Sequence, residues 1–124
     1  MLNEIYLCPR LLANRNSEYI ASYSAIPYAE GNGKVTVYFE ITGVAKMDLI
    51  GSTTISIYEN GALVQTYSSA NNPSMVAINK NFHGSSVTYS GVAGRSYYAT
   101  VTFYAGRNGG GDSRNYTTIT ITAT

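Results

Sequence analysis

The sequence predicts an all-β fold, built as an antiparallel sandwich of seven or eight strands. Short segments alternate between apolar and polar residues, which is the pattern of a half-buried strand. Turn signals made of Gly, Asn and Pro separate these segments at fairly even intervals along the 124 residues. No segment has the apolar periodicity of an amphipathic helix of normal length. The alternating segments therefore have only one another to pack against, which favours a sandwich.

A first hairpin is predicted near the start of this pattern. In residues 34–42 four apolar side chains alternate with four polar ones, which predicts a half-buried strand. Residues 18–28 alternate more weakly. Pro27 lacks the N–H that a ladder hydrogen bond needs, so this strand ends there or runs along a sheet edge. Residues 31–33, Gly-Asn-Gly, predict the turn between them, because Gly and Asn tolerate positive φ.

A second hairpin is predicted around an Asn-Gly pair. Residues 43–51 lie between strands, with the spacing of one helical turn that Gly51 would end. Residues 53–59 form a strand with Ile55 and Ile57 facing inward. Asn60-Gly61 then predicts a type I′ turn, which needs positive φ at both central residues, and residues 63–68 form the return strand.

The middle of the chain is less regular. Asn-Asn-Pro at residues 71–73 predicts a turn, and residues 75–78 predict a short strand. The polar stretch from 79 to 84 is expected to bury Phe82, and residues 85–90 alternate as another strand.

Two more strands are predicted near the C-terminus. Residues 91–94 form a turn, and the next strand, 97–104, has one inward face. That face consists of Tyr97, Ala99, Val101 and Phe103. Residues 106–112 are expected to be a flexible loop, and residues 116–124 a last strand. The inward residues of the last strand are Ile119, Ile121 and Ala123.

Residues 92–101, Val-Ala-Gly-Arg-Ser-Tyr-Tyr-Ala-Thr-Val, resemble the corner between strands E and F of immunoglobulin-like and fibronectin type III domains. In those folds a Tyr near the start of strand F closes the corner through its hydroxyl. The alternation favours Tyr97 for this role. If the strand had the other register, Tyr98 would take the role instead. The resemblance implies that the sandwich is immunoglobulin-like.

A wider resemblance begins at about Arg15 and covers most of the chain. Five segments are similar to a family of small secreted proteins of Gram-positive bacteria, a family without an assigned function. They are residues 15–20, 31–37, 46–51, 57–61 and 86–91. The resemblance implies export and a β-sandwich, and it brings no site residues with it.

Composition and charge exclude several classes of protein. Charged residues make up 12% of the chain, the net charge is +1, and the eight basic residues are scattered. Nucleic-acid binding is therefore not expected, because it needs clustered Lys and Arg. No apolar run reaches the length of a membrane span. The N-terminus lacks the basic region and cleavage site of a signal peptide, although we expect the protein to be secreted or on the cell surface.

The sequence predicts no catalytic residue, no cofactor and no metal. The seven acidic residues form no recognisable pair for acid–base chemistry. His83 is the only histidine, and a metal site needs three or four ligands. Cys8 is the only thiol, so no disulfide forms within the chain, and a Cys8–His83 nucleophile is a weaker interpretation than a small buried hydrophobe. The protein is predicted not to be an enzyme.

Two sets of residues are candidates for contact with a partner. The end loop around residues 106–112 is flanked by charged and amide groups, and sandwich folds often bind through such loops. These groups are Arg107, Asn108, Asp112 and Arg114. The 12 tyrosines are the second signal, and four of them oppose the inferred core stripes, namely Tyr38, Tyr58, Tyr98 and Tyr104. They would stack on sugars, pack in a subunit interface, or simply cover a solvated face through cross-strand pairs.

The domain boundaries and the leading function follow from the N-terminus. Residues 1–17 form an extension, and residues 18–124 form the sandwich domain. The extension is mostly apolar, through Ile5, Tyr6, Leu7, Leu11 and Leu12. It is expected to add as a strand to the sheet edge of a second copy, or else to pack on its own domain.

We therefore expect a structural or adhesive module that self-associates into an oligomer or filament. The alternative is a module that binds a surface glycan, protein or peptide through its end loops or an exposed tyrosine face.

Overall fold

Seven antiparallel strands form one curled sheet in this protein, whose computed structural model describes residues 17–124. The strands are β1 (Ile20–Gly31), β2 (Lys34–Glu59), β3 (Ala62–Ser68), β4 (Val76–Ser90), β5 (Ser96–Arg107), β6 (Gly110–Thr117) and β7 (Ile121–Thr122). A 3₁₀ turn, Pro73–Met75, precedes β4. The all-β antiparallel prediction is confirmed for the described residues.

β2 is the central strand, and it is paired along both of its edges. One edge is covered first by β1 and then by β5, and the other first by β4 and then by β3. Val35, near the start of β2, pairs with β1 and β4, whereas Ile55, near its end, pairs with β3 and β5. Each half of β2 therefore belongs to a different half of the sheet.

The sheet curls where β2 bends, at residues 43–51. The predicted break with a helical turn in this segment is wrong, because β2 continues through it. The register against β4 shifts between Thr42 and Met47, so extra residues on β2 bulge out and bend the strand. Gly51 follows with a φ of +152°, where a Cβ would lie 2.7 Å from the Cα of Val76. Ladder pairing is interrupted at residues 44–46, and it resumes with β4 at Met47 and with β5 at Leu49.

The core lies between the two halves of the curled sheet. The rings of Phe39 on β2 and Phe103 on β5 are 6.1 Å apart, and Tyr23 on β1 lies 5.1 Å from Phe103. The inward faces predicted from alternation are confirmed as buried in β2 and β5: Val35, Val37, Phe39, Ile41, Ile55, Ile57, Tyr97, Ala99, Val101 and Phe103. Pro27 pairs with Val37 inside β1, a strand at the end of the sheet, which confirms the edge alternative.

Tyr97 closes the turn before β5, as the corner resemblance implies. Its ring is fully buried, and its hydroxyl accepts the Val92 N–H at 2.8 Å. The same hydroxyl donates to Glu59 Oε1 at 2.6 Å, and Arg95 donates to the other carboxylate oxygen at 2.6 Å. The Tyr97 register is therefore correct, and Tyr98 lies on the opposite face.

β4 is a single strand of 15 residues rather than two short ones. It follows β2 through the bend, so the pairing of Thr42 with Phe82 turns the Phe82 ring outward. The prediction that Phe82 is buried is wrong, since 48% of the residue is exposed. The polar residues around it indicated a loop, but long-range pairing with β2 made the segment a strand.

A tight hairpin replaces the flexible loop predicted at residues 106–112. β5 continues to Arg107, and β6 begins at Gly110. The two turn residues have positive φ, +54° at Asn108 and +80° at Gly109, as in the confirmed Asn60-Gly61 turn at +48° and +87°. Asn108-Gly109 forms the same type of hairpin connection. The sequence prediction missed it because two more glycines follow directly and made the segment resemble a flexible loop.

The last predicted strand is also shorter than expected. β6 ends at Thr117, and β7 comprises Ile121–Thr122 alone. The Thr118 N–H still donates to the Ala99 carbonyl at 2.9 Å, but the Thr118 hydroxyl accepts the Ala99 N–H at 3.0 Å and donates to the Ile119 carbonyl, so a side-chain bond replaces one bond of the ladder. As a result Ile119 is 61% exposed rather than inward, whereas Ala123 is buried as predicted.

Candidate functional site

A groove of about 410 Å³ lies on the outer face of the sheet half formed by β1, β2 and β4. The strand register places its side chains. Tyr38 on β2 lies between Ile26 on β1 and Ser86 on β4. In the next outward row Glu40 lies between Ser24 and Gly84. Paired residues share one face of a sheet, so these six residues line one depression.

The middle of the groove exists because Gly84 has no side chain. A Cβ built there would lie 3.5 Å from Phe82 Cζ and 3.7 Å from Glu40 Cβ. The Phe82 ring therefore stands on one side of the gap, and Tyr38 and Ile26 line the other. Phe82, Tyr38 and Ile26 are 48%, 45% and 42% exposed, so the groove has apolar walls that the fold does not cover.

Two residues of β1 hold the Tyr38 side chain in place. Its hydroxyl donates to Glu30 Oε2 at 3.2 Å, and its ring meets Tyr28 edge-on with centroids 5.5 Å apart. The hydrogen bond to Glu30, with the negative charge of that carboxylate, raises the pKa of the Tyr38 phenol. The phenol therefore remains a neutral donor, and its ring is presented in a fixed orientation.

The polar groups of the groove are the hydroxyls of Ser24 and Ser86 and the carboxylate of Glu40. Within residues 17–124, Glu40 forms no ion pair and no side-chain hydrogen bond. Apolar walls with a few well-placed polar groups are typical of sites for small ligands. The arrangement is suited to binding through ring contacts and hydrogen bonds.

The four tyrosines singled out in the sequence lie on two different faces. Tyr38 lines the groove, whereas Tyr58 and Tyr98 belong to the other half of the sheet. Their rings stack directly at 4.8 Å with an angle of 4°, which is the cross-strand pairing that covers a sheet face. Tyr104, on that same face, lies over the backbone of Gly106 and Gly111.

The four candidate residues of the end loop come together in the β5–β6 hairpin. Arg114 lies 4.0 Å from Asp112, which also accepts a hydrogen bond from the Ser17 hydroxyl. The Asn108 N–H donates to Asp48 at 3.0 Å, and Arg107 is half-buried beside it. None of the four lines the groove.

Sequence reasoning selected Tyr38 but missed its neighbours Phe82, Ile26, Glu40 and Gly84. The alternation of residues 34–42 placed Tyr38 and Glu40 on one outward face, so Glu40 could have been predicted as a neighbour of Tyr38 from the sequence. The register of β4 against β2 could not be predicted from the sequence, because it joins segments that are far apart in the chain.

The described residues bring together few groups of catalytic type. One ring nitrogen of His83 lies 2.7 Å from the Ser74 carbonyl oxygen. Within residues 17–124 no three His, Cys, Asp or Glu side chains cluster closely enough to hold a metal. No helix in that part of the chain has the length and apolar character needed to cross a membrane. Cys8 lies outside the described residues, as do the predicted self-association residues Ile5, Tyr6, Leu7, Leu11 and Leu12.

Comparison with known proteins leaves the groove as the best guide to function. No protein-family model, curated protein or solved structure matches this chain significantly.

Proposed function

We propose that this protein is a non-enzymatic saccharide-binding module that acts outside the cell or on its surface, and that the groove is its binding site. One observation carries the proposal: exposed rings of Tyr38 and Phe82 flank a gap that also holds serine hydroxyls and the Glu40 carboxylate. A sugar presents apolar C–H faces and hydroxyl groups, so it can contact both kinds of surface at once. Rigid amphipathic rings are favoured at such recognition surfaces.

The position of the groove favours a saccharide over a peptide. An extended peptide usually adds to a free sheet edge, where main-chain groups supply its affinity. The groove instead spans three paired strands, and the β2 backbone beneath it is bonded on both edges. Recognition there has to use side chains, which suits a ligand without a peptide backbone.

Binding without hydrolysis agrees with the acidic groups present. Glycoside hydrolysis commonly uses two carboxyl groups that flank the scissile bond. Glu40 is the one carboxyl group among the described residues that line the groove. The exterior location is supported by the resemblance to small secreted proteins and by the 12% content of charged residues.

A glycan array followed by NMR titration tests this function. We expect Tyr38→Ala to weaken binding of a recognised glycan at least about tenfold, because it removes a fixed stacking surface. Tyr98→Ala is the matched control, since it removes a tyrosine from the opposite face and should leave binding unchanged. An array without hits, or a loss that follows Tyr98→Ala alone, contradicts the proposal.

A second candidate function is self-association through residues 1–16. The Ser17 hydroxyl donates to Asp112 and accepts the N–H groups of Tyr19 and Ile20 at 3.0 and 2.9 Å. This places the start of the described chain beside β6, which pairs only with β5 among the described strands. β6 therefore offers a sheet edge to which an extension can add, and addition of each copy's extension to β6 of the next copy would build open filaments or rings.

Sedimentation of the full chain and of a fragment of residues 17–124 tests this second function. We expect the full chain to form oligomers and the fragment to be a monomer. A full-length variant with Ile5→Ser and Leu7→Ser should behave as the fragment does. Monomers in every case, or equal association of the full chain and the fragment, contradict strand addition.

We also infer that the two halves of the curled sheet correspond to the layers of an immunoglobulin-like sandwich, a structural or adhesive scaffold. Two observations support it: Tyr97 occupies the corner position, and β2 supplies one strand to each half. One layer would hold β1, the first part of β2 and β4, and the other β3, the rest of β2, β5 and β6. A crystal structure in which β2 lies wholly within one layer would contradict this arrangement.

A further inference from the structure

We propose that the groove selects saccharides that carry a free amino group, with the Glu40 carboxylate as the partner of the ammonium. This inference rests on the saccharide-binding function proposed above and adds the chemical class of the sugar. It follows from the position of Glu40, from its lack of a described partner and from the charge of its surroundings.

Glu40 lies at the centre of the groove rather than at its rim. It is paired with Ser24 on one side and Gly84 on the other, and Tyr38 is the next outward residue of β2. Its Cβ lies 3.7 Å from the point where a Gly84 Cβ would be. A sugar ring in the gap left by Gly84 would therefore lie directly beside this carboxylate.

Most other acids of the described chain already have partners. Glu59 binds Tyr97 and Arg95, Asp48 accepts the Asn108 N–H, and Asp112 binds Ser17 and lies near Arg114. Glu30 accepts the Tyr38 hydroxyl at 3.2 Å. Glu40 and Glu18 have no described partner, and Glu18 is not among the groove residues.

Glu40 carries the one charge among the described residues that line the groove. No Lys, Arg or His is among its described lining residues, and the Glu30 carboxylate lies behind Tyr38. An ammonium group would form a charge-assisted hydrogen bond with Glu40 and would also be attracted to the faces of Tyr38 and Phe82. A sugar with a carboxylate or phosphate would be repelled.

The test compares four oligosaccharides of similar length by NMR titration, with the sugar amine kept protonated. The probes are oligomers of glucosamine, N-acetylglucosamine, glucose and a uronic acid. We expect glucosamine to bind about fivefold more tightly than glucose, as for a partly exposed ion pair, and the uronate to bind most weakly. This preference should shrink at high salt.

Glu40→Gln should lower the affinity for glucosamine to the affinity for glucose, so that the preference disappears. Glu18→Gln is the matched control, because it removes one exposed carboxylate elsewhere and should leave the preference intact. Equal binding of glucosamine and glucose, or a preference that survives Glu40→Gln, overturns this inference and leaves the saccharide function standing. Failure of all four probes and of the glycan array overturns both.

Discussion

At the scale of single residues, the side chains of Tyr97, Glu59 and Arg95 tie three segments together. The Tyr97 hydroxyl joins the turn at Val92 to the end of β2 at Glu59. A guanidinium nitrogen of Arg95 lies 2.6 Å from the other oxygen of the Glu59 carboxylate. A buried hydroxyl with one bond accepted and one donated is fully satisfied, so it adds specificity without leaving a polar group unpaired.

Tyr97→Phe tests this corner. The substitution leaves the Val92 N–H without its acceptor and the Glu59 carboxylate without one donor, and we expect the free energy of unfolding to fall by about 1–3 kcal/mol. Tyr98→Phe, one residue later on the opposite face, should change it by less than about 0.5 kcal/mol. Urea unfolding measures both variants, and equal effects would rule out the corner role of Tyr97.

The same corner predicts a loss of stability in acid. The hydrogen bond from Tyr97, and then that from Arg95, lowers the pKa of Glu59 below its ordinary value of 4.5. Between the folded and unfolded pKa values the unfolded chain binds more protons, so stability falls as the pH falls through that window.

The advantage of wild type over Glu59→Gln in unfolding free energy should therefore be full above about pH 4.5 and should shrink below it. Urea titrations at several pH values measure this difference. In the Tyr97→Phe variant the free energy of unfolding should depend less on pH in this acid range, because the substitution removes the largest cause of the lowered Glu59 pKa. A pH-independent difference between wild type and Glu59→Gln would contradict this role.

At the scale of elements, the bend of β2 decides the architecture. A strand of 26 residues is far longer than the usual five or six, and the bulge lets it turn from one half of the sheet into the other. Gly51 lies in that turn, and its φ of +152° is accompanied by a close approach of the backbone at Met75 and Val76.

Gly51→Ala is expected to destabilise the protein by at least about 2 kcal/mol, because the new methyl group would clash with backbone and the conformation disfavours L residues. Gly84→Ala is the matched control within the same sheet, since its nearest neighbour would lie at an ordinary 3.4 Å. We expect that control to remain within about 0.5 kcal/mol of wild type. Thermal unfolding measures both, and a stable Gly51→Ala variant would show that the bend does not depend on this glycine.

At the scale of the whole molecule, both halves of the sheet depend on one core. Phe39 and Phe103 meet across it, and β2 runs through both halves. A defect in one half should therefore weaken the other, as expected for a small cooperative domain.

Ile41→Val and Ile55→Val test this cooperativity, because the first lies in one half of β2 and the second in the other, and both are fully buried. Each should lower the free energy of unfolding by about 0.5–1.5 kcal/mol. Hydrogen exchange of the most protected amides should accelerate equally in β1 and in β5 for either variant. Acceleration confined to the half that carries the substitution would show that the two halves unfold separately.

The sequence by itself determined what depends on neighbours in the chain. Alternation identified the inward faces of β2 and β5, and the Asn60-Gly61 pair specified its turn through positive φ. Tyr97 was identified by its place in that alternation. These features are local, because side-chain direction repeats every two residues and turn conformation depends on the turn residues themselves.

The tertiary structure alone decided which segments far apart in the chain pair with each other. It extended β2 through residues 43–51, made a strand of the polar segment around Phe82 and brought that ring beside Tyr38. Backbone pairing satisfies N–H and C=O groups whatever the local composition, so it overrides weak local preferences. The groove is the result: its walls come from β1, β2 and β4, and no single stretch of sequence contains them.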